Sequence, residues 1–258
     1  MARKVTEPIR EVILLAAGVG KRLAPATETR PKVVFEVGGR TLLERHLTHL
    51  KSAGVPRLTI VLGHLGEMIR ERVEGFTGPP EVRFVTNPDF RLGSVISLLR
   101  GLEAVGDGPG RVAWMDADVI YHPRVLHSLF ESDAPLTFLL DPLEGDADEE
   151  MVLGVRGDRV VRIDRGFRMD GEWDLKGESV GFFSLSEALV PRFRAHLETF
   201  ISAGNGDSEY EEAVCALLPE IEAGFVSVEG LPWTEVDFAE DLLKAESVLA
   251  ELRGLGLE

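Results

Sequence analysis

Three short segments of this 258-residue chain carry side chains suited to binding phosphate groups and a metal ion. The first is LAAGVGKRL, which spans 15–23 and is soon followed by Pro31-Lys32. Glycines in such a loop let backbone N–H groups approach phosphate oxygens closely. Lys21, Arg22 and Lys32 add cations that would neutralise a triphosphate and the charge that develops when a phosphoryl bond is broken.

The glycine-rich loop differs from two common phosphate-binding patterns. The chain contains no G-x-x-x-x-G-K-[ST] string, so this is not a Walker P-loop. The third glycine of the dinucleotide-binding fingerprint is also missing. Taken alone, the glycines are equally compatible with a simple tight turn.

The other two segments carry carboxylates. Asp116 and Asp118 stand two residues apart at the end of a predicted strand, so their side chains point to the same side. Paired hard oxygen ligands suit Mg²⁺, which takes one or two carboxylates together with phosphate oxygens. The third segment, WTEVD at 233–237, ends in Asp237 just before a predicted helix. A solvated turn or a helix cap would also explain each segment separately.

Strand and helix patterns alternate along the first half of the chain. Apolar runs predict strands at 10–17, 58–63, 82–87, 111–120 and 135–141, and helical periodicity falls between them at 41–53, 66–76, 94–105 and 122–132. Thr41 and Glu44 match a capping box. This order predicts an α/β fold with a Rossmann-like, doubly wound, mainly parallel sheet. Ligands of such sheets bind beyond the carboxyl ends of the strands, where the first two segments fall.

The pattern changes after residue 141. The next segments predict a β-hairpin turning at Gly157-Asp158, a strand at 177–186, two helices, a short strand and a closing helix. No Ser/Pro-rich linker or internal repeat interrupts the chain. We therefore expect a single domain that spans residues 1–258.

The net charge of −16 predicts that the chain repels nucleic acid and anionic membranes at long range. Its one cysteine, Cys215, excludes an intrachain disulfide, and the N-terminus lacks a signal-peptide or membrane-spanning pattern. We therefore expect a cytoplasmic protein with no nucleic-acid or membrane partner, and a homodimer is left open. The six histidines show no ligand-like clustering, and we expect most of them to be structural or exposed.

The LAAGxGxRL…PK string resembles the N-terminus of the sugar-nucleotidyltransferase superfamily. The resemblance implies that the loop wraps a nucleoside triphosphate and that Arg22 and Lys32 contact phosphates of the two substrates as the catalytic cations. It also implies that Asp118 and Asp237 hold Mg²⁺, since a W-x-E-[IV]-D string before a D-L-x-x-A helix closes many members. The implied nucleotide contacts in the loop are Leu15, Ala16, Ala17, Gly18, Gly20 and Lys21.

Two later segments narrow the resemblance to small cytidylyltransferases that activate phosphocholine, aminoethylphosphonate and related head groups with CTP. These are TNPDF at 86–90 and GSVISLL at 93–99, which imply nucleotide contacts by Asn87, Ser94 and Ser97. The implied acceptor contacts are Asp116, Glu178, Tyr210, Trp233 and Glu235. The phosphocholine enzymes usually carry paired asparagines where this chain has Gly93-Ser94, and inositol-phosphate cytidylyltransferases are also close in this segment. Residues 1–141 would then bind the nucleotide, and residues 142–258 would bind the acceptor and supply the closing helix.

The expected function is Mg²⁺-dependent transfer of CMP from CTP to a small phosphorylated or phosphonate acceptor, with release of pyrophosphate. An ammonium-bearing acceptor is favoured because aromatic side chains and carboxylates recur in the second half. Those aromatics are equally compatible with core packing: Trp173, Phe182, Phe183, Tyr210 and Trp233. The alternatives are an inositol-1-phosphate or sugar-1-phosphate nucleotidyltransferase, a non-catalytic nucleotide-binding regulatory module, and a glycosyltransferase with a DxD metal site.

Overall fold

The computed structural model describes residues 7–23, 26–75, 78, 80–143, 150–165, 173–238 and 240–258. Within these ranges the strands are β1 (Ile9–Ala16), β2 (Glu36–Val37), β3 (Arg40–Thr41), β4 (Arg57–Leu62), β5 (Glu81–Thr86), β6 (Arg111–Asp116), β7 (Val119–Tyr121), β8 (Leu136–Pro142), β9 (Met151–Arg156), β10 (Arg159–Arg165), β11 (Leu175–Leu185), β12 (Ala223–Ser227) and β13 (Trp233–Glu235). The α-helices are α1 (Leu42–Ser52), α2 (Gly66–Glu74), α3 (Ser94–Val105), α4 (Pro123–Glu131), α5 (Val190–Ser202), α6 (Tyr210–Leu217) and α7 (Asp241–Gly254).

The centre of the fold is a parallel sheet. β1 lies between β4 and β6, and β5 lies on the far side of β4, all in parallel register. The described strands continue on the other side of β6 as β11, β9 and β10, with β8 also along β11 and β12 beside β8. Strands buried on both faces need continuous apolar sequence, and β1, β4 and β6 have it. The predicted Rossmann-like, mainly parallel fold is confirmed.

Helices cover both faces of this sheet. Val12 and Leu14 of β1 belong to a core with α1, α2, α4 and α7, whereas Ile13 belongs to a second core with α3, α5 and α6. Successive strand residues point to opposite faces, so one strand feeds both cores. The predicted capping box is present at α1, where the Glu44 amide donates to Thr41 Oγ1 at 3.1 Å and the Thr41 amide donates to Glu44 Oε2 at 2.8 Å.

The second half of the chain completes the sheet. β11 lies antiparallel between β6 and β8, so the fifth predicted strand is not next to the fourth. β11 is buried on both faces along most of its length, so its apolar pattern does not show which strands lie on either side of it. The hairpin of β9 and β10 turns at Gly157-Asp158 as predicted. None of the helices in the described ranges combines the length and apolar character that a membrane crossing requires.

Candidate active site

The glycine-rich loop leaves the carboxyl end of β1 and is held in a tight turn. Gly20 has a φ of +64°, and a Cβ there would lie 2.8 Å from Cγ2 of Thr27, so this position requires glycine. Thr27 Oγ1 and the Leu23 amide both donate to the Gly20 carbonyl, at 2.8 and 3.0 Å. A Cβ at Gly18 would meet no atom within 4 Å, because that residue borders an open cavity.

His64, which follows β4, fastens the loop at two points. Its amide donates to the carbonyl of Ala17 at 3.0 Å, and its ring Nε2 lies 3.0 Å from the carbonyl of Thr27. Since a carbonyl only accepts, Nε2 carries the proton. His64 was expected to be structural or exposed, and no signal in the sequence tied it to the loop.

A small β-ribbon brings the two distant aspartates together. β13 pairs antiparallel with β7, with Val119 opposite Glu235, and the Val236 amide donates to the Asp118 carbonyl at 3.0 Å. Asp237, which follows β13, therefore lies next to Asp118, which precedes β7, although 119 positions separate them in the sequence.

The ammonium of Lys32 contacts both aspartates. Its Nζ donates to Asp118 Oδ2 at 2.6 Å and also to Asp237 Oδ1. Arg22 Nη1 donates to Asp237 Oδ2 at 2.7 Å. Burial opposes the charge of Lys32, but the attraction of Asp118 and Asp237 outweighs it and raises the pKa of that ammonium. Burial likewise opposes the ionisation of Asp237, yet Lys32 and Arg22 lower the pKa of its carboxyl below the ordinary value. Two carboxylates and two cations thus converge at one point.

Two cavities meet at this charged cluster. The first, of about 390 Å³, is bordered by the glycine-rich loop, Lys32, and the N-terminus of α3. The second, of about 450 Å³, lies towards β10, β11, α6 and the start of α7. Six residues line both cavities: Arg22, Ser94, Asp116, Asp118, Glu209 and Asp237. Ligands in the two cavities would therefore touch each other beside Asp118 and Asp237.

Acidic side chains dominate the lining of the second cavity. Its described cations are Arg22, Arg165 and Lys244. Its described carboxylates are Asp116, Asp118, Glu150, Glu178, Glu209, Glu211, Glu235, Asp237, Glu240 and Asp241. The field in this cavity therefore favours a ligand that carries positive charge.

Several of these carboxyls have raised pKa values because they are crowded and desolvated. Burial, and then the charge of Asp118, raise the pKa values of Asp116 and Glu235 well above the ordinary range. Burial, followed by neighbouring carboxylates, raises the pKa of Glu178 to about 7. Burial also raises the pKa of Glu211 to about 7. A cation bound among these groups would stabilise their ionised forms.

Two glycines that were not predicted to have a special role make room at the junction of the cavities. Gly181 in β11 has a φ of +76°, and a Cβ there would lie 2.5 Å from Asp116 Oδ2, which accepts from the Tyr210 hydroxyl at 2.7 Å. A Cβ at Gly93 would lie 1.9 Å from the Ser208 carbonyl oxygen. That close approach lets Ser94 Oγ accept from the Tyr210 amide at 2.9 Å.

The structure brings most of the predicted site residues to the cavities. Those at the first cavity are Leu15, Ala16, Ala17, Gly18, Gly20, Lys21, Arg22, Lys32, Ser94, Ser97, Asp118 and Asp237. The acceptor candidates at the second cavity are Asp116, Glu178, Tyr210 and Glu235.

Two predicted residues lie outside both cavities. The indole of Trp233 packs against the core and its Nε1 donates to Asp141 Oδ2 at 2.9 Å, so Trp233 is not brought to the second cavity. Asn87 is fully buried; its Nδ2 donates to Ser97 Oγ at 3.0 Å and its Oδ1 accepts from the Asp89 amide at 2.9 Å, so it supports residues beside the first cavity and does not line it.

Most of the aromatic side chains considered for an ammonium contact lie in the core, which is the alternative that the sequence left open. Phe182 and Phe183 are fully buried, and Phe183 stacks on Trp114 with ring centroids 4.6 Å apart. Trp173 packs against Val152. Among the described residues, the aromatic side chains that border the second cavity are Tyr210 and Phe238.

The comparisons with known proteins agree with this architecture. Residues 12–139 match the family model of the MobA-like NTP transferase domain. The structure is similar to an inositol-1-phosphate CTP transferase from T. maritima, with a TM-score of 0.78, 23% identity and coverage of 96% of this chain and 98% of the other. It is also similar to a CTP:phosphocholine cytidylyltransferase from Streptococcus pneumoniae, with a TM-score of 0.75, 24% identity, and coverage of 93% and 100%. The chain is therefore similar to the MobA-like NTP transferase domain over residues 12–139, and it shares the fold of both solved structures over nearly its whole length.

Similar sequences include a CMP-5'-(3-aminopropyl)phosphonate synthase from Streptomyces rubellomurinus, 32% identical over 93% of this chain and 38% of that protein. A bifunctional IPC transferase and DIPP synthase from Rubrobacter xylanophilus is 30% identical over 92% of this chain and 51% of its own length. A 2-aminoethylphosphonate cytidylyltransferase from Lancefieldella rimae is 29% identical over 46% of this chain and 49% of its own length. The chain thus spans about half the length, or less, of these relatives.

Proposed function

We propose that this chain transfers CMP from CTP to a small acceptor that carries a phosphate or phosphonate at one end and a primary ammonium at the other, with release of pyrophosphate. The observation that carries the proposal is the meeting of a glycine-lined, cation-bearing cavity with an acidic one beside Asp118, Asp237, Arg22 and Lys32. CTP would occupy the first cavity and the acceptor the second, in agreement with the cytidylyltransferases among its relatives.

The donor set at the junction fits Mg²⁺. No cluster of three or more His, Cys, Asp or Glu side chains with metal-binding geometry occurs in the part of the chain that the structure describes. Asp118 and Asp237 nevertheless converge on one cation, and Mg²⁺ binds through one or two carboxylates plus phosphate oxygens and water. When bound there, Mg²⁺ would neutralise the negative charge of the α-phosphate and help to orient it.

The remaining chemistry needs no nucleophile from the protein. A phosphate or phosphonate oxygen of the acceptor forms a bond to the α-phosphorus of CTP. The bond from that phosphorus to the oxygen that bridges the α- and β-phosphates breaks. Pyrophosphate leaves with the electron pair. Arg22 and Lys32 line the first cavity and would neutralise the charge on the leaving and attacking groups, while the glycine-rich loop would donate its amides. Holding both substrates next to each other in the reactive orientation would account for much of the rate enhancement.

The composition of the second cavity selects the acceptor. A quaternary ammonium is bound best by several aromatic faces, whereas a primary ammonium donates hydrogen bonds to carboxylates. The described lining contains ten carboxylates and two aromatic rings, so it suits a primary ammonium. An inositol phosphate remains the alternative because hydroxyls also donate to carboxylates, and because relatives include a bifunctional IPC transferase.

The test is a pyrophosphate-release assay with CTP, ATP, GTP and UTP against 3-aminopropylphosphonate, 2-aminoethylphosphonate, phosphocholine and inositol 1-phosphate. We expect Mg²⁺-dependent turnover with CTP and an aminoalkylphosphonate, and loss of turnover in Asp118→Ala while the folded circular-dichroism spectrum is kept. Propylphosphonate, which lacks the ammonium, is the matched control acceptor. Equal turnover with and without the ammonium would refute the acceptor assignment. Nucleotide binding without pyrophosphate release would instead indicate a regulatory module.

A further inference from the structure

A buried histidine lies directly behind the carboxylates of the site. His46, in the middle of α1, is 0% exposed. Its Nε2 lies 3.2 Å from the carbonyl oxygen of Ala117, and its Nδ1 lies 3.4 Å from the hydroxyl of Tyr121. Because a carbonyl only accepts, Nε2 carries the proton and donates to Ala117, and Nδ1 accepts from the Tyr121 hydroxyl.

The surroundings of His46 hold the ring in this state. Tyr121 packs edge-on against Phe182 and against His49, with ring centroids 4.9 Å apart in each pair. These side chains are buried, and burial lowers the pKa of His46 to about 4, so the imidazole is neutral at neutral pH. A neutral ring with one N–H is the form that both hydrogen bonds require.

The Ala117 carbonyl lies in the turn between Asp116 and Asp118, and its orientation is coupled to the backbone of Asp118. It belongs to the same planar peptide unit as the amide of Asp118, so fixing the carbonyl fixes the plane that precedes the Asp118 Cα. Tyr121 lies in β7 and is paired with Trp233 of β13, the strand that leads to Asp237. His46 therefore contacts the backbone that precedes Asp118, and it contacts β7, the strand whose pairing with β13 positions Asp237.

We propose that His46 is a positioning residue for nucleotidyl transfer: its N–H, bonded to the Ala117 carbonyl, sets the direction in which Asp118 presents its carboxylate at the junction of the two cavities. The inference rests on the proposed function, since it assigns Asp118 to the reacting site. His46 itself touches neither cavity, so its loss should affect turnover and not nucleotide affinity.

Three variants test the proposal. His46→Met keeps the volume and removes the donor, and His46→Gln restores an amide donor close to the position of Nε2. His49→Met is the matched control, because His49 is also buried on α1 and packs on Tyr121, yet its Nδ1 has no hydrogen-bond partner among the described residues. We expect His46→Met to lower kcat about 10-fold, the lower end of the cost of losing a residue that orients a metal ligand. KM for CTP should be unchanged, because His46 lines neither cavity. His46→Gln should recover most of kcat, and His49→Met should leave it unchanged.

Equal losses of kcat in His46→Met and His49→Met, or a His46→Gln variant no more active than His46→Met, would overturn the proposal. If His46→Met does not fold, His46→Asn replaces it, because its shorter amide does not reach the Ala117 carbonyl. Hydrogen exchange of the 115–122 peptide adds a readout that needs no turnover: it should be faster in His46→Met than in His49→Met and slow again in His46→Gln. A wild-type chain inactive with CTP would refute the proposed function, and the exchange comparison would still decide the role of His46.

Discussion

The contact of Lys32 with two aspartates predicts a specific consequence of removing its charge. In Lys32→Met, Asp118 and Asp237 would face each other without the ammonium that now lies 2.6 Å from Asp118. The Lys32 side chain is 13% exposed and the two aspartates are 27% and 24% exposed. The free energy of unfolding lost in Lys32→Met should therefore lie between the values for an exposed and a buried ion pair. We expect about 2 kcal/mol of destabilisation. For a domain of this size, that lowers the thermal midpoint by about 4 to 8 °C.

The pH dependence of this loss has a definite sign. The pKa of Asp237 lies below its ordinary value because of Lys32 and Arg22, so its contribution to stability is present above that ordinary value and is lost as the pH falls through the lowered one. The difference in thermal midpoint between wild type and Lys32→Met should thus be full at pH 7 and shrink below about pH 4, where aspartates protonate.

Added Mg²⁺ tests whether the ammonium and the metal compete for the same carboxylates. Mg²⁺ without nucleotide should raise the thermal midpoint of Lys32→Met more than that of wild type, since binding to the folded state stabilises it by mass action. Lys21→Met is the matched control: Lys21 borders the same cavity but makes no ion pair within the described ranges. Equal Mg²⁺ shifts in wild type and Lys32→Met would refute the reasoning.

Three further predictions concern the carboxylates and the crowded glycine. Asp237→Ala should lower kcat more than Glu235→Ala, as measured by pyrophosphate release, and the reverse order would mean that the metal ligand is misassigned. Gly93→Ala should lower both the thermal midpoint and the turnover, because a Cβ there would lie 1.9 Å from the Ser208 carbonyl oxygen; an unchanged midpoint would contradict this. KM for an ammonium acceptor should fall as the pH rises through about 7, where Glu178 ionises, and initial rates of Glu178→Gln should show a flatter dependence.

The sequence was most informative where chemistry is local. The glycine-rich loop combines backbone geometry and charge within a few residues, so its turn at Gly20 and its cations Lys21 and Arg22 were visible in the sequence, and their assignment to a nucleotide came from the resemblance. The parallel strands were predictable because strands buried on both faces require continuous apolar runs. Thr41 and Glu44 likewise form their capping box within a single helical turn.

Residues that act through distant partners were not identifiable in this way. Trp233 was assigned to the acceptor from the resemblance and as an aromatic candidate for an ammonium contact, yet its indole donates to Asp141. His46 and His64 carry no local signal, because their partners are backbone carbonyls far away in the sequence. Phe182 and Phe183 were candidates for an ammonium contact, but on a doubly buried strand both faces are core.

The sequence by itself determined the parallel strands of the first half, the glycine-rich loop and the residue types of the candidate site, since each depends on neighbours within one strand, turn or helix. Only the tertiary structure decided that Asp118 and Asp237 share one ammonium and that the second cavity is acidic with few aromatic faces. The physical reason is that strand pairing between β7 and β13, and the burial of β11 between β6 and β8, join segments that no local pattern connects.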